Sequence, residues 1–342
     1  MSISEMIIQN EKEFKGAVNL KYFFWPASKQ SEYLTVGFSG FNGNESKGEP
    51  ARYNYVKQLR DFDCHRLFIL DDYNNHPCYY LGRNQSLDYE ATVMSLIHFI
   101  ANQHGIPAKN IITCGSSKGG TAAVYFGVKY NLGHVIAGGM QIKVGDYLYS
   151  LGGYPTNTVL KLITGESGEA GRDYLNKFYE DSLLGGEIKT NLNLHGGTGD
   201  YHYREHVLPF TERLKQMDIP FVLDVQNYSS HGEVGKYFAS FLIDQLAKIT
   251  GQLSIKETSI EKKGKDSLLI SCTVPNCFKS DKKLQYAYYI IRDGQSEPVK
   301  KMSYTLSPTV EYKVEEPGIY RARVFVRKDG EIVRVGTSSI KI

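Results

Sequence analysis

Runs of apolar residues recur along the first two-thirds of the chain at spacings that alternate between strand-like and helix-like periods. Leu34-Thr35-Val36-Gly37-Phe38 reads as a buried strand ending in the flexible turn Ser39-Gly40-Phe41-Asn42-Gly43. A short helix is expected over Tyr53 to Leu59, then a strand Arg66-Leu67-Phe68-Ile69-Leu70 that stops at Asp71-Asp72. Val93, Leu96, Ile97 and Ile100 fall on one helical face, with Ser86 as the expected N-cap and Asp88 and Glu90 in the first turn. Ile111-Ile112-Thr113-Cys114 is the next strand. A helix from Thr121 to Val128, a strand His134 to Gly139, a strand Asn191 to His195, a helix near Val207 to Met217, a strand Pro220 to Val225 and a helix from about Gly235 to Ile249 follow. Alternation of this kind predicts an α/β sheet with helices on its faces.

The rhythm breaks twice. Between Gly145 and Leu184 glycines and tyrosines predict short helices joined by loops, an insertion (145–190) that is either a lid over a site or decoration. From Ser254 onward period-two alternation takes over, in Leu268 to Val274, Gln285 to Ile291, Tyr320 to Val326 and Ile332 to Val335, beside the turn signals Arg292-Asp293-Gly294 and Lys328-Asp329-Gly330. The expected organisation is an α/β domain over 1–250 and a small antiparallel β-sandwich over 254–342.

Composition narrows the function classes. With 342 residues, 41% hydrophobic and 23% charged, the chain is of ordinary globular type. A formal net charge of +3 with interspersed signs gives no case for nucleic acid. No segment has the roughly 20 apolar residues of a membrane span, and no secretory leader is visible. Five cysteines without metal-ligand spacing read as free thiols in a cytoplasmic protein, and no metal is expected.

The chemistry centres on Gly115-Ser116-Ser117-Lys118-Gly119, a G-x-S-x-G stretch between a strand and a helix. Glycines at both ends remove the Cβ atoms that would obstruct a sharp strand-to-helix turn, and Ser117 would stand exposed on it at a helix N-terminus. A chance glycine-rich turn is the plain alternative; the flanking strand and helix favour a nucleophile. A serine needs a base, itself oriented by an acid. Asp200, in a loop just after a sheet strand, is the preferred acid over Asp224 and Glu233. His231, between the last strand and last helix of the domain, is the preferred base. The expected oxyanion donors are the amide of Lys118 and that of Gly40 or Phe41. Asp71, at a strand end on the same rim, is a candidate for sugar hydroxyls, and His202 and Gln141 for substrate.

Cys114 to Gly127, Gly139 to Leu148 and Gly199-Asp200-Tyr201-His202 resemble two related bacterial sets. These are capsular polysaccharide biosynthesis proteins of the XcbB/CpsF type and the accessory Sec secretion protein that acts as a glycan O-acetyltransferase. The likeness covers about residues 30 to 245, and the tail resembles their triple-tyrosine, immunoglobulin-like module. The resemblance implies an α/β-hydrolase fold with a triad at Ser117, Asp200 and His231. It also implies acetyl transfer to a sugar hydroxyl in the cytoplasm, acetyl-CoA as the donor with no bound cofactor, and assembly with capsule or glycan-export machinery. Gly139-Met140 stands where such relatives tend to carry a proline, which leaves the role of Gln141 open. A carbohydrate esterase using the same acyl-enzyme, or a non-catalytic glycan-binding or export subunit, are the competing expectations.

Overall fold

The computed structural model describes residues 3–342, which divide into two units, one ending at Phe241 and one running from Leu242 to Ile342. The first unit begins with α1 (Ile3–Asn10), β1 (Glu11–Lys15) and β2 (Asn19–Trp25). There follow β3 (Leu34–Phe38), α2 (Val56–Leu59), β4 (His65–Ile69), α3 (Asp88–Gln103), β5 (Ile111–Ser116), α4 (Lys118–Lys129) and β6 (His134–Gly138). Next come α5 (Val144–Ser150), α6 (Lys161–Thr164), α7 (Glu169–Leu184), β7 (Asn191–Gly197), α8 (Leu208–Gln216) and β8 (Phe221–Gln226), and α9 (Val234–Thr250) carries the chain into the second unit.

One sheet in the order β1-β2-β4-β3-β5-β6-β7-β8 organises this unit. β2 is antiparallel to both β1 and β4, and β3 to β8 are mutually parallel. β3 and β4 are fully buried and β5 nearly so, as central strands covered on both faces must be, which is why their sequences are apolar without alternation. The chain leaves β3 for β4 on one side and returns to β5 on the other, so the sheet has its switch point between β3 and β5, where ligands collect at carboxyl ends.

Most expected elements lie within a residue or two of their observed bounds. Two differences are instructive. The polar hairpin β1–β2 was not foreseen, because Glu-Lys-Glu-Phe-Lys on an edge strand shows almost no burial. Ser86 does not cap α3; Leu87 holds the N-cap position without a side-chain bond, and the Asp88 carboxylate accepts the Tyr89 amide instead.

The segment between β6 and β7 is folded and anchored. Asn84 and Gln85 donate their amides to the carbonyls of Leu162 and Ile163, at 2.8 and 2.7 Å. Tyr179 of α7 packs on Tyr125 of α4, ring centroids 5.4 Å apart.

The second unit is antiparallel. β9 (Glu257–Lys263), β10 (Ser267–Thr273) and β13 (Thr309–Lys313) form a three-stranded sheet in the order β13-β10-β9. β11 (Gln285–Arg292), β12 (Lys300–Thr305), β14 (Ile319–Lys328), β15 (Glu331–Gly336) and β16 (Ile340–Lys341) form the other. Asp329-Gly330 is a two-residue hairpin turn with φ of 47° and 89°, joining β14 to β15 as the Asp-Gly signal predicts.

Candidate active site

Ser117 sits between β5 and α4 with φ 55° and ψ −130°, a region that a side-chain-bearing residue enters only when its surroundings hold it there. The hold is backbone packing. A Cβ on Gly119 would lie 2.4 Å from the Phe38 carbonyl oxygen, and one on Gly115 would lie 2.5 Å from that of Gly119. The Ser117 amide donates to the Gly138 carbonyl at 2.8 Å, tying the turn to β6.

A hydrogen-bonded relay meets this serine. His231 Nε2 is 2.8 Å from Ser117 Oγ, and His231 Nδ1 is 2.8 Å from Asp200 Oδ2. The carboxylate only accepts, so Nδ1 carries the proton and Nε2 is left to accept the serine O–H. Asp200 Oδ1 accepts the His202 amide at 2.9 Å. Burial alone would push the Asp200 carboxyl up, but its hydrogen bond from His231, that ring's charge and the His202 amide outweigh it and hold the group below the usual carboxylate range. Asp200 is fully buried, while the His231 side chain keeps about a fifth of its surface open.

Behind the relay, His202 lies against the His231 ring, centroids 3.7 Å apart, and donates its Nδ1–H to the Gly139 carbonyl at 2.9 Å. Gly139 has φ +51°, and a Cβ there would sit 3.2 Å from His231 Cε1. Burial first, then the neighbouring His231, pushes the His202 imidazole down to about 3, and burial with Lys143 pushes His206 down to about 4. Tyr147 of α5 packs edge-on against both rings. Asp200, His202 and His231 bring potential metal-ligating atoms within 4.8 Å of one another. Asp200 Oδ2 and both His231 nitrogens are engaged in the relay, whereas the buried His202 Nε2 has no partner among the described residues.

For an oxyanion, the first turn of α4 leaves the Lys118 amide without an intrahelical partner. Of the two expected donors after β3, Gly40 is already engaged, its N–H bonding Asn54 Oδ1 at 2.8 Å. The Phe41 amide has no partner among the described residues, which singles it out.

The three residues expected to contact substrate are all buried. Asp71 is wholly buried and its oxygens are consumed. Oδ1 accepts the amides of Cys78 (2.9 Å) and Tyr80 (3.2 Å), while Oδ2 accepts that of Tyr79 (3.0 Å) and Lys118 Nζ (2.6 Å). It anchors Lys118, the residue after Ser117. Gln141 is buried, its Oε1 accepting the Thr121 hydroxyl and its amide donating to Thr121 Oγ1. His202 is enclosed behind His231. The rival acids are committed elsewhere, Asp224 to His195 Nδ1 at 2.6 Å and Glu233 to the Ser229 amide and hydroxyl.

The buried Lys118–Asp71 pair was not foreseen from the sequence. Lys118 in a glycine-rich turn looks solvated, and its partner stands 47 residues away. Nor does any local signal betray that Tyr79 and Tyr80 adopt φ of 54° and 60° to point their amides at Asp71.

No known family model matches the chain, and no characterised protein is found as a sequence relative. Solved structures do match. The chain is similar to the capsule O-acetyltransferase of Neisseria meningitidis serogroup A, at 21% identity and a TM-score of 0.56, over 68% of this chain and 91% of that one. A variant of that protein in complex with CoA matches at 20% and 0.56, over 68% and 92%. A chain of the glycosylation-associated Gap123 complex of Streptococcus agalactiae matches at 19% and 0.56, over 70% of this chain and 46% of that one. FphF, a fluorophosphonate-binding serine hydrolase of Staphylococcus aureus, matches at 9% and 0.52, over 71% and 98%. The fold is that of the α/β-hydrolases. In that fold a nucleophile, an acid and a histidine follow one another in chain order, the order in which Ser117, Asp200 and His231 occur here.

Proposed function

We propose that the protein is a carbohydrate O-acetyltransferase that works through an acetyl-Ser117 intermediate. The observation that carries this reading is the uninterrupted Ser117–His231–Asp200 relay, both links at 2.8 Å, on a turn whose strain is locked by backbone contacts. His231 Nε2 takes the hydroxyl proton as Ser117 Oγ attacks the donor's acetyl carbonyl. Asp200 keeps the imidazole in the correct tautomer and stabilises its charged form. The amides of Lys118 and Phe41 receive the oxyanion. The leaving group departs with the proton from His231, a sugar hydroxyl then gives its proton to the same nitrogen as its oxygen attacks the acetyl carbonyl, and Ser117 Oγ leaves by taking that proton back from His231.

Acetyl transfer rather than hydrolysis is supported by the likeness to a capsule O-acetyltransferase, as is acetyl-CoA as donor by that protein's complex with CoA. The elbow suits the thioester end of such a donor. For its phosphates the fit is poor. The cavity of about 470 Å³ between α5, α7 and α8 offers Lys143 and Arg213 but faces them with Asp146, Glu180 and Glu212. We therefore assign only the acetyl end.

Incubation with p-nitrophenyl acetate, with and without an oligosaccharide acceptor, tests the reading. Wild type should release p-nitrophenol, be labelled by a fluorophosphonate at Ser117 and place acetyl on the sugar. Ser117→Ala should lose at least about 10³-fold of the rate while remaining folded. Activity that survives Ser117→Ala, or acetyl lost only to water at saturating acceptor, refutes it.

A further inference from the structure

The outer face of the five-stranded sheet in the second unit carries a second, non-catalytic feature. Along β14, Tyr320, Ala322, Val324 and Val326 are buried, whereas Arg321, Arg323 and Arg327 are exposed between them, as period-two alternation demands. Register extends the outward set across the sheet. Arg323 faces Tyr289 of β11, and Phe325 faces Arg334 of β15. The half-buried Tyr289 and Phe325 rings lie 4.7 Å apart, tilted 56° to each other. No acidic residue occupies an outward register position on these strands, and among the described residues none pairs with Arg321, Arg323 or Arg334. The charge is concentrated in this unit: residues 242–342 hold 18 Lys and Arg against 12 Asp and Glu, while residues 1–241 hold 22 against 25.

An unneutralised row of guanidinium groups is not explained by folding, since exposed positions of a sheet accept any polar residue and like charges side by side are mildly destabilising. Arg321 to Arg327 spans about 20 Å along the strand. Guanidinium groups recognise carboxylate and phosphate by paired N–H donors, and the flat rings between them suit the apolar faces of sugars. We propose that this face binds a polysaccharide bearing carboxylate or phosphate groups. The choice of a polysaccharide over other polyanions rests on the glycan-acetylating reading above; the basic face itself does not.

The test uses the full chain with polygalacturonate as the anionic polymer, dextran as the neutral one, and phosphatidylserine vesicles and single-stranded DNA as alternatives. Polygalacturonate should bind at 50 mM salt, weaken at least about 10-fold at 500 mM as charges are screened, and exceed dextran, vesicles and DNA. Arg321→Ser/Arg323→Ser/Arg334→Ser should weaken binding at least about 10-fold. The control Lys262→Ser/Lys265→Ser/Lys282→Ser, which removes equal charge elsewhere, should not. Equal binding of dextran, tighter binding of vesicles or DNA, equal loss in the control, or no loss in the arginine variant overturns the proposal. All variants change exposed side chains, and a circular-dichroism melt verifies that they remain folded. Hydrolysis of p-nitrophenyl acetate, unaffected in the arginine variant, keeps the two readings apart. A chain that binds polygalacturonate but never acetylates loses the catalytic proposal and keeps this one.

Discussion

Replacing Asp71 with Asn probes how the elbow is held. Lys118 and Asp71 are 1% and 0% exposed, so the pair is fully withdrawn from water. Asn preserves shape but not chemistry. Its Oδ1 can still accept Cys78 and Tyr80, yet its NH₂ then points donors at the Tyr79 amide, 3.0 Å away, and at the Lys118 ammonium, 2.6 Å away. Turning the amide over only transfers the conflict to the other two amides. Breaking one side of a buried pair leaves an uncompensated charge, which costs about 3–5 kcal/mol. For a unit of this size that is a fall in Tm of roughly 6–20 °C. The remaining Lys118 charge should dominate, so Asp71→Asn/Lys118→Met should be more stable than Asp71→Asn alone, a sign that additive contributions cannot give. Urea denaturation of Asp71→Asn, Lys118→Met and the double variant measures this, with fluorophosphonate titration giving the fraction of intact sites. Equal midpoints for Asp71→Asn and wild type, or a double variant that loses the sum of the single losses, would refute the argument.

Other consequences are checkable with the same protein. Asp200→Asn should leave the fold intact and lower kcat by about 10³–10⁴-fold, because an amide lets His231 present the wrong tautomer to Ser117; steady-state kinetics on p-nitrophenyl acetate reads it. Gly119→Ala forces a methyl group to within 2.4 Å of a carbonyl oxygen in β3, and more than about 3 kcal/mol should be lost, seen as a collapse of the soluble, probe-reactive fraction. His202 and His206 are held down to about 3 and 4, whereas they protonate near 6.5 once unfolded. The unfolded chain therefore binds more protons than the folded one between those values. Stability is full above pH 6.5 and falls as pH drops toward 4, at up to about 1.4 kcal/mol per pH unit for each ring. A Tm series over that range should flatten in His206→Asn, and an unchanged slope would assign the acid sensitivity elsewhere.

Sequence reading succeeds here where one local pattern determines one local structure. Five residues with glycines at both ends specify the turn at Ser117, because only glycine fits where backbone lies on backbone. Asp200 and His231 lie where position suggests, each in the loop after a sheet strand. The shell behind them was not. Asp71 at a strand end looks like a rim ligand until Tyr79 and Tyr80 turn their amides onto it, and His202 looks like a second substrate contact until His231 covers it. The first depends on a left-handed backbone at Tyr79 and Tyr80 that no residue preference announces, the second on a ring brought in from a separate loop. The β1–β2 hairpin escaped notice for the opposite reason, since an edge strand with little to bury has little pattern to show.

The helices between β6 and β7 are stitched into the body of the first unit by the Leu162 and Ile163 carbonyls, by Tyr179 on Tyr125, and by Tyr147 against the histidines behind the relay. Contacts at several points tie this segment to the rest of the first unit. Heating should thus produce no long-lived species that keeps its shape yet has lost its chemistry: turnover and secondary structure are expected to vanish at one temperature.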